Sequence, residues 1–137
     1  MMWVRTNVGT QFAARSGDGG KSWSELKGSN IVSPRSPASI ERIPSTGDLM
    51  MVWNRNGDVS GRSHGKRTPL NVAVSRDDGG TWENVRTLEE DPDGWYCYTA
   101  IHFAGDRVLL GHCAGDAKVG RLNRTQITSF PVEWLDK

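Results

Sequence analysis

The chain has 137 residues, 17 Lys+Arg against 16 Asp+Glu, and a formal net charge of +1. That balance argues against a strongly basic nucleic-acid binder, and two cysteines are too few for a disulfide scaffold or a metal finger. No apolar run approaches the roughly 18 residues that a membrane helix needs, and 16 Gly with 6 Trp fit short strands and tight turns rather than a helical bundle.

The elements follow in chain order. Met1-Met2-Trp3-Val4-Arg5-Thr6-Asn7 has no charged region leading into an apolar stretch, so it does not read as a secretory signal. It runs directly into a strand-like segment, as if the chain began inside a larger unit. Phe12 to Ser16 reads as a strand, followed by a Gly17-Asp18-Gly19-Gly20 turn and a second strand from Ser22 to Glu25. Ala38 to Ile43 alternates, then turns at Pro44 to Asp48. Leu49-Met50-Met51-Val52-Trp53 is a continuous apolar run, as expected of a strand buried on both faces. A polar loop spans Asn54 to Thr68. Leu70 to Ser75 alternates again and meets the turn Asp77-Asp78-Gly79-Gly80, with Thr81 to Arg86 as the next strand. Trp95 to Phe103 and Arg107 to Cys113 form a hairpin around a three-residue turn, Ala104 to Asp106. Val119 to Ile127 is the last strand, and Phe130 to Leu135 is expected to pack back on that final group. The count is two strands, then four, then three.

One pattern occurs twice. Ser16-Gly17-Asp18-Gly19-Gly20-Lys21-Ser22-Trp23 and Ser75-Arg76-Asp77-Asp78-Gly79-Gly80-Thr81-Trp82 both read S-x-D-x-G-x-S/T-W, 59 residues apart. A fixed period of this order signals a repeat architecture. The aspartate can accept backbone N–H groups within the turn. Gly20 and Gly79 allow a positive φ, and Trp23 and Trp82 can cover the turn and pack on a neighbouring strand. Asp18 and Asp77 read as turn-stabilising acceptors in preference to catalytic or calcium-binding groups.

The pattern resembles the Asp box of sialidases and related BNR-repeat propellers. That resemblance implies an all-β fold, part of a six-bladed β-propeller with four strands per blade. A chain of 137 residues then covers about two and a quarter blades. Residues 1–29 would end one blade, 30–90 form a full one, and 91–137 form the last blade minus one strand, with the rest of the propeller upstream. Sialidases remove a terminal sialic acid, whose anomeric carbon carries a carboxylate. Planar, permanently charged guanidiniums suit that group, and a tyrosine replaces the usual carboxylate nucleophile. Free tyrosine has a pKa near 10, so it needs an activating partner.

The resemblance implies roles for particular residues. Arg5, just upstream of the first box, and Arg67, 62 residues later and just before the strand into the second, would grip the substrate carboxylate. Arg35 in Ser33-Pro34-Arg35-Ser36-Pro37 is a rival. Tyr98, opening the hairpin after the second box, would be the nucleophile, with Tyr96 as its rival. The family's first triad arginine, its acid/base aspartate and the glutamate that activates the tyrosine would all lie upstream of Arg5, so the chain alone is expected to hydrolyse no sialoside. No carboxylate stands in Leu110-Gly111-His112-Cys113, where many sialidases carry a glutamate. The alternative is a non-catalytic BNR propeller that binds glycans or proteins. The expected partner is a sialylated glycan or other acidic sugar, without nucleic acid or a membrane span. A secreted or periplasmic location is implied only if an upstream segment carries a signal. No metal or cofactor is expected, since His64, His102 and His112 show no ligand spacing. Cys97 and Cys113 are expected opposite one another in the hairpin, as two buried free thiols in preference to a cross-strand disulfide.

Overall fold

The computed structural model describes residues 1–56, 65–116 and 118–136. His64 lies outside the described residues. The fold is all-β, with ten described strands in three antiparallel sheets.

The first sheet holds β1 (Met2–Val4), β2 (Thr10–Ala14) and β3 (Lys27–Val32) in that order. The middle sheet holds β4 (Ser39–Arg42), β5 (Leu49–Asn54), β6 (Leu70–Ser75) and β7 (Glu83–Glu89). The third holds β8 (Gly94–Ala104), β9 (Arg107–Asp116) and β10 (Thr125–Pro131), and a 3-10 turn at Val132–Asp136 closes the chain. The two turns of the repeat link β2 to β3 and β6 to β7, in both cases the last two strands of a sheet.

The apolar run of β5 explains the stacking. Strand side chains alternate between faces, and both faces of β5 are buried throughout. Met51 and Trp53 join Ile31 and Ala73 in a core facing the first sheet, where Trp3 and Trp82 pack against it. Met50 and Val52 join Val72, Val74, Val108, Leu110, Phe130 and Leu135 in a larger core facing the third sheet. Each fully buried side chain of this size stabilises by about 1.5–3 kcal/mol relative to exposure, so the middle sheet ties its two neighbours together. A charge at Met51 or Val52 would break one interface.

Four expectations shift. Ser22 to Glu25 is not a strand, because the Ser22 N–H and hydroxyl are both bound to Asp18 within the turn, and the strand starts at Lys27. The first sheet therefore runs to Val32, past the boundary expected at residue 29. The last strand begins at Thr125 rather than Val119, after a turn in which Asp116 accepts the backbone N–H groups of Lys118 and Val119. The C-terminal segment packs on the third sheet, with Trp134 and Phe130 ring centroids 4.9 Å apart and the Val132 N–H donating to the Asp106 carbonyl at 2.8 Å, but it also reaches beyond that sheet. The Arg86 guanidinium lies 4.1 Å from the Trp134 ring centroid and donates to the Trp134 carbonyl, while Asn84 Nδ2 donates to the Leu135 carbonyl at 3.1 Å. The tail thus clamps β7 of the middle sheet.

The hairpin corrects the fourth. Ala104 pairs with Arg107, so the turn has two residues, Gly105 and Asp106, with Gly105 at φ 61°. A glycine at the first central position suits such a tight turn. Yet Cys97 still pairs with Cys113, as expected from a three-residue turn. A bulge between Cys97 and Ala100 makes up the difference, setting Tyr98 and Thr99 against His112 alone.

Candidate functional site

The bulge decides where Tyr98 goes. Its φ is 55°, in the left-handed region that a tyrosine adopts only against steric resistance. Bulges re-aim side chains, and backbone strain of about 1–3 kcal/mol persists only where the surroundings enforce it. Here Ser39 Oγ donates to the Thr99 carbonyl at 2.6 Å, tying the bulge to β4. The result is a tyrosine 51% exposed, two residues from one that is 6% exposed.

Arg67 is fixed from the other side. It forms a bridge with Trp95, and its carbonyl accepts the Tyr96 N–H at 2.9 Å. Its guanidinium carbon lies 5.0 Å from the Tyr98 ring centroid and 5.4 Å from that of Trp95. Arg5, in the connection from β1 to β2, reaches the same tyrosine. Polar interaction with Arg67 and then Arg5, together with the charge of Arg67, holds the Tyr98 pKa below the usual tyrosine value. Burial works against the charge of Arg67, but its contacts with Tyr98 and Cys97 more than offset this and raise its pKa. Burial pushes the Cys97 thiol up against the pull of Arg67. Cys97 and Cys113 are both free thiols.

Tyr96 has the opposite environment. It sits in the larger core, edge-on to His112 with ring centroids 6.2 Å apart. Burial, then the charges of Glu89 and Asp91, raise its pKa. Its ring lies over Gly94, where a Cβ would come within 2.4 Å of it. Arg35 is exposed on the loop between β3 and β4, and no described contact joins it to Arg5, Arg67 or Tyr98.

A buried polar chain supports these loops. Gln11 Nε2 donates to Ser33 Oγ at 2.8 Å and to the Ser36 carbonyl at 2.9 Å. Ser36 Oγ donates to Asn54 Oδ1 at 2.7 Å, and Asn54 Nδ2 donates to the Pro69 carbonyl at 3.1 Å. The chain crosses from the first sheet to the segment carrying Arg67. Such networks rigidify when every member is satisfied. Its members are scattered along the sequence with no motif to announce them. Trp95 also escaped the sequence reading. Its one signal was proximity to Tyr98.

The repeat turns form at the other ends of β2 and β6. In the first, Ser16 Oγ donates to Asp18 Oδ1 at 2.8 Å, and the Ser22 N–H donates to the same oxygen at 3.0 Å. In the second, the matching bonds from Ser75 Oγ and the Thr81 N–H to Asp77 Oδ1 are each 2.8 Å. Gly20 and Gly79 have φ of 88° and 80°, and each accepts the edge of its turn's tryptophan at 3.6 Å from where a Cβ would stand. The hydroxyl and N–H of Ser22 and the hydroxyl of Ser16 hold Asp18 far below the carboxylate range, and the Thr81 N–H with the Ser75 and Thr81 hydroxyls lowers Asp77 to about 2. Both oxygens of each carboxylate accept hydrogen bonds from their own turn. Among the described residues no group of three or more His, Cys, Asp or Glu could hold a metal.

Stacked antiparallel sheets, two of them carrying the same Asp-centred turn between their last two strands, define a β-repeat protein. The family profile of a BNR repeat-like domain matches residues 1–112, and the chain belongs to that family. The matched span holds both turns, Arg5, Arg67 and Tyr98. No curated protein matches the chain.

Proposed function

We propose that the Arg5–Arg67–Tyr98 face binds the carboxylate of a sialic acid or similar acidic sugar. In this reading the three sheets are consecutive blades of a six-bladed propeller, and the chain is the C-terminal portion of an exo-sialidase-like glycosidase. The observation that carries it is the convergence of two arginines, 62 residues apart in sequence, on one exposed tyrosine held in left-handed backbone. Neither arginine pairs with a carboxylate among the described residues, so both guanidiniums can serve an external anion.

Tyr98 is the nucleophile in this proposal. Its hydroxyl proton would pass to a general base elsewhere in the intact protein as its oxygen attacks the anomeric carbon and the bond to the leaving oxygen breaks. That oxygen would take a proton from a general acid elsewhere in the intact protein. The arginines ease ionisation of Tyr98 and orient the sugar through its carboxylate. A second reading is a binding module without hydrolysis. It is favoured by the neighbours that act on Tyr98 among the described residues, which are arginines rather than a carboxylate able to take its proton.

The test combines titration of the chain with sialic acid, followed by NMR, and a fluorogenic sialoside assay on the intact protein. Tyr98→Phe is expected to abolish turnover and leave sugar binding intact, while Arg67→Ala removes binding. An active Tyr98→Phe beside an inactive Tyr96→Phe would reverse the assignment of the nucleophile. Binding without turnover in the intact protein would favour the second reading.

A further inference from the structure

Arg121 lies beyond both the repeat and the family match, on the turn between β9 and β10. Its guanidinium carbon stands 4.6 Å from the Trp95 ring centroid. Trp95 therefore carries two guanidiniums, Arg121 and Arg67, the second at 5.4 Å. Attraction to an indole face holds a guanidinium in place without neutralising it.

The backbone builds this contact. Trp95 pairs with Gly115 across the hairpin. The turn folds back over Gly115 so closely that a Cβ there would stand 2.5 Å from the carbonyl oxygens of Gly120 and Arg121. Only a glycine permits that approach. The turn is further held by Asp116, which accepts the N–H groups of Lys118 and Val119 at 2.8 and 2.6 Å, and by Lys118 on Asp93 at 2.5 Å. Lys118 thus has a carboxylate partner. Arg121, exposed in the same turn, has none among the described residues. It reaches Trp95 but neither Tyr98 nor Cys97, so it stands beside the Arg5–Arg67 pair rather than on the same group.

We propose that Arg121 is a second anion-binding position, and that this face takes an acidic glycan with a second anionic group, a carboxylate or sulfate, on the neighbouring sugar. The proposal rests on the reading of Arg5 and Arg67 as the first anion site. Trp95 is a positioning residue that holds both guanidiniums.

The test is calorimetric titration of the full chain with monosialylated lactose, disialylated lactose and a sulfated sialyl-lactose. Wild-type protein is expected to bind one or both two-anion probes about five- to tenfold more tightly than the single-anion probe, as one charge-assisted contact allows. The probe that gains identifies the second group. Arg121→Ala, at an exposed position, should erase that preference and leave the single-anion affinity unchanged. Equal affinities in the wild type, or a preference that survives Arg121→Ala, would overturn the second site and leave the first standing. Equal weakening of all probes by Arg121→Ala would also overturn it, making Arg121 a support for Arg67. Failure of every probe to bind would overturn both, and single-anion binding that survives Arg67→Ala would displace the first site.

Discussion

The two ends of β6 treat charge in opposite ways. At one end Asp77 is engaged by the turn that contains it, through the hydroxyls of Ser75 and Thr81 and the Thr81 N–H. At the other, Arg67 has aromatic rings and a thiol around it and no carboxylate among the described residues. The first sheet repeats the arrangement, with Asp18 closing β2 and Arg5 preceding it. A charge satisfied within eight residues of sequence stabilises a turn and offers nothing to a ligand. A charge held by rings and left unpaired remains available. In the proposed function, structural and binding roles divide between the ends of the same strands.

Substitutions at each end can break or sharpen that division. The largest effect is expected at the arginine end: Tyr98→Phe should reduce turnover of the intact protein by roughly 10³-fold or more, measured with a fluorogenic sialoside, with unfolding unchanged. Next comes a contrast at the turn end. Trp82 packs edge-on against Trp3 at 6.0 Å beside the core, whereas Trp23 is 44% exposed. Trp82→Ala should cost about 3 kcal/mol in urea unfolding, and Trp23→Ala about 1 kcal/mol or less, neither touching sugar affinity. A change in affinity from either would break the division.

A third contrast sits at Tyr98. Tyr98→Gly should be more stable than Tyr98→Ala by about 1 kcal/mol, because glycine meets no resistance at φ 55°. Both should lose function, which would identify strain kept for the side chain's direction. The smallest effect concerns pH. Asp18 and Asp77 have pKa values below the ordinary 3.8, so their stabilisation is complete above that value and is lost as pH falls, through about 2 for Asp77. Asp77→Asn should lower stability near pH 7, where the carboxylate contributes fully, and flatten the acid limb followed by circular dichroism, because no protonation remains to weaken the turn.

The residues that could be read in advance are those whose partners lie close in sequence. Each repeat turn carries its donors and acceptor within eight positions, so Ser16, Asp18, Gly20 and Trp23 and their counterparts were legible by spacing alone. The order of Arg5, Arg67 and Tyr98 around those turns was legible too, through resemblance rather than through chemistry. Which of Tyr98 and Tyr96 is exposed was not. A one-residue error in the hairpin turn and an unseen bulge cancel at Cys97 and Cys113, so the pairing there was right for the wrong reason.

By itself the sequence determined the strand-rich fold, the repeated turn and the doubly buried β5, because local hydrogen bonding and alternation act over a few residues. Tertiary structure decided the rest. Ser39 of another sheet ties down the bulge that turns Tyr98 out. Gly115 admits the turn that lays Arg121 on Trp95. The tail crosses to β7 because Arg86 and Asn84 offer donors there. These are contacts between distant segments, set by how the sheets pack, and no spacing along the chain encodes them.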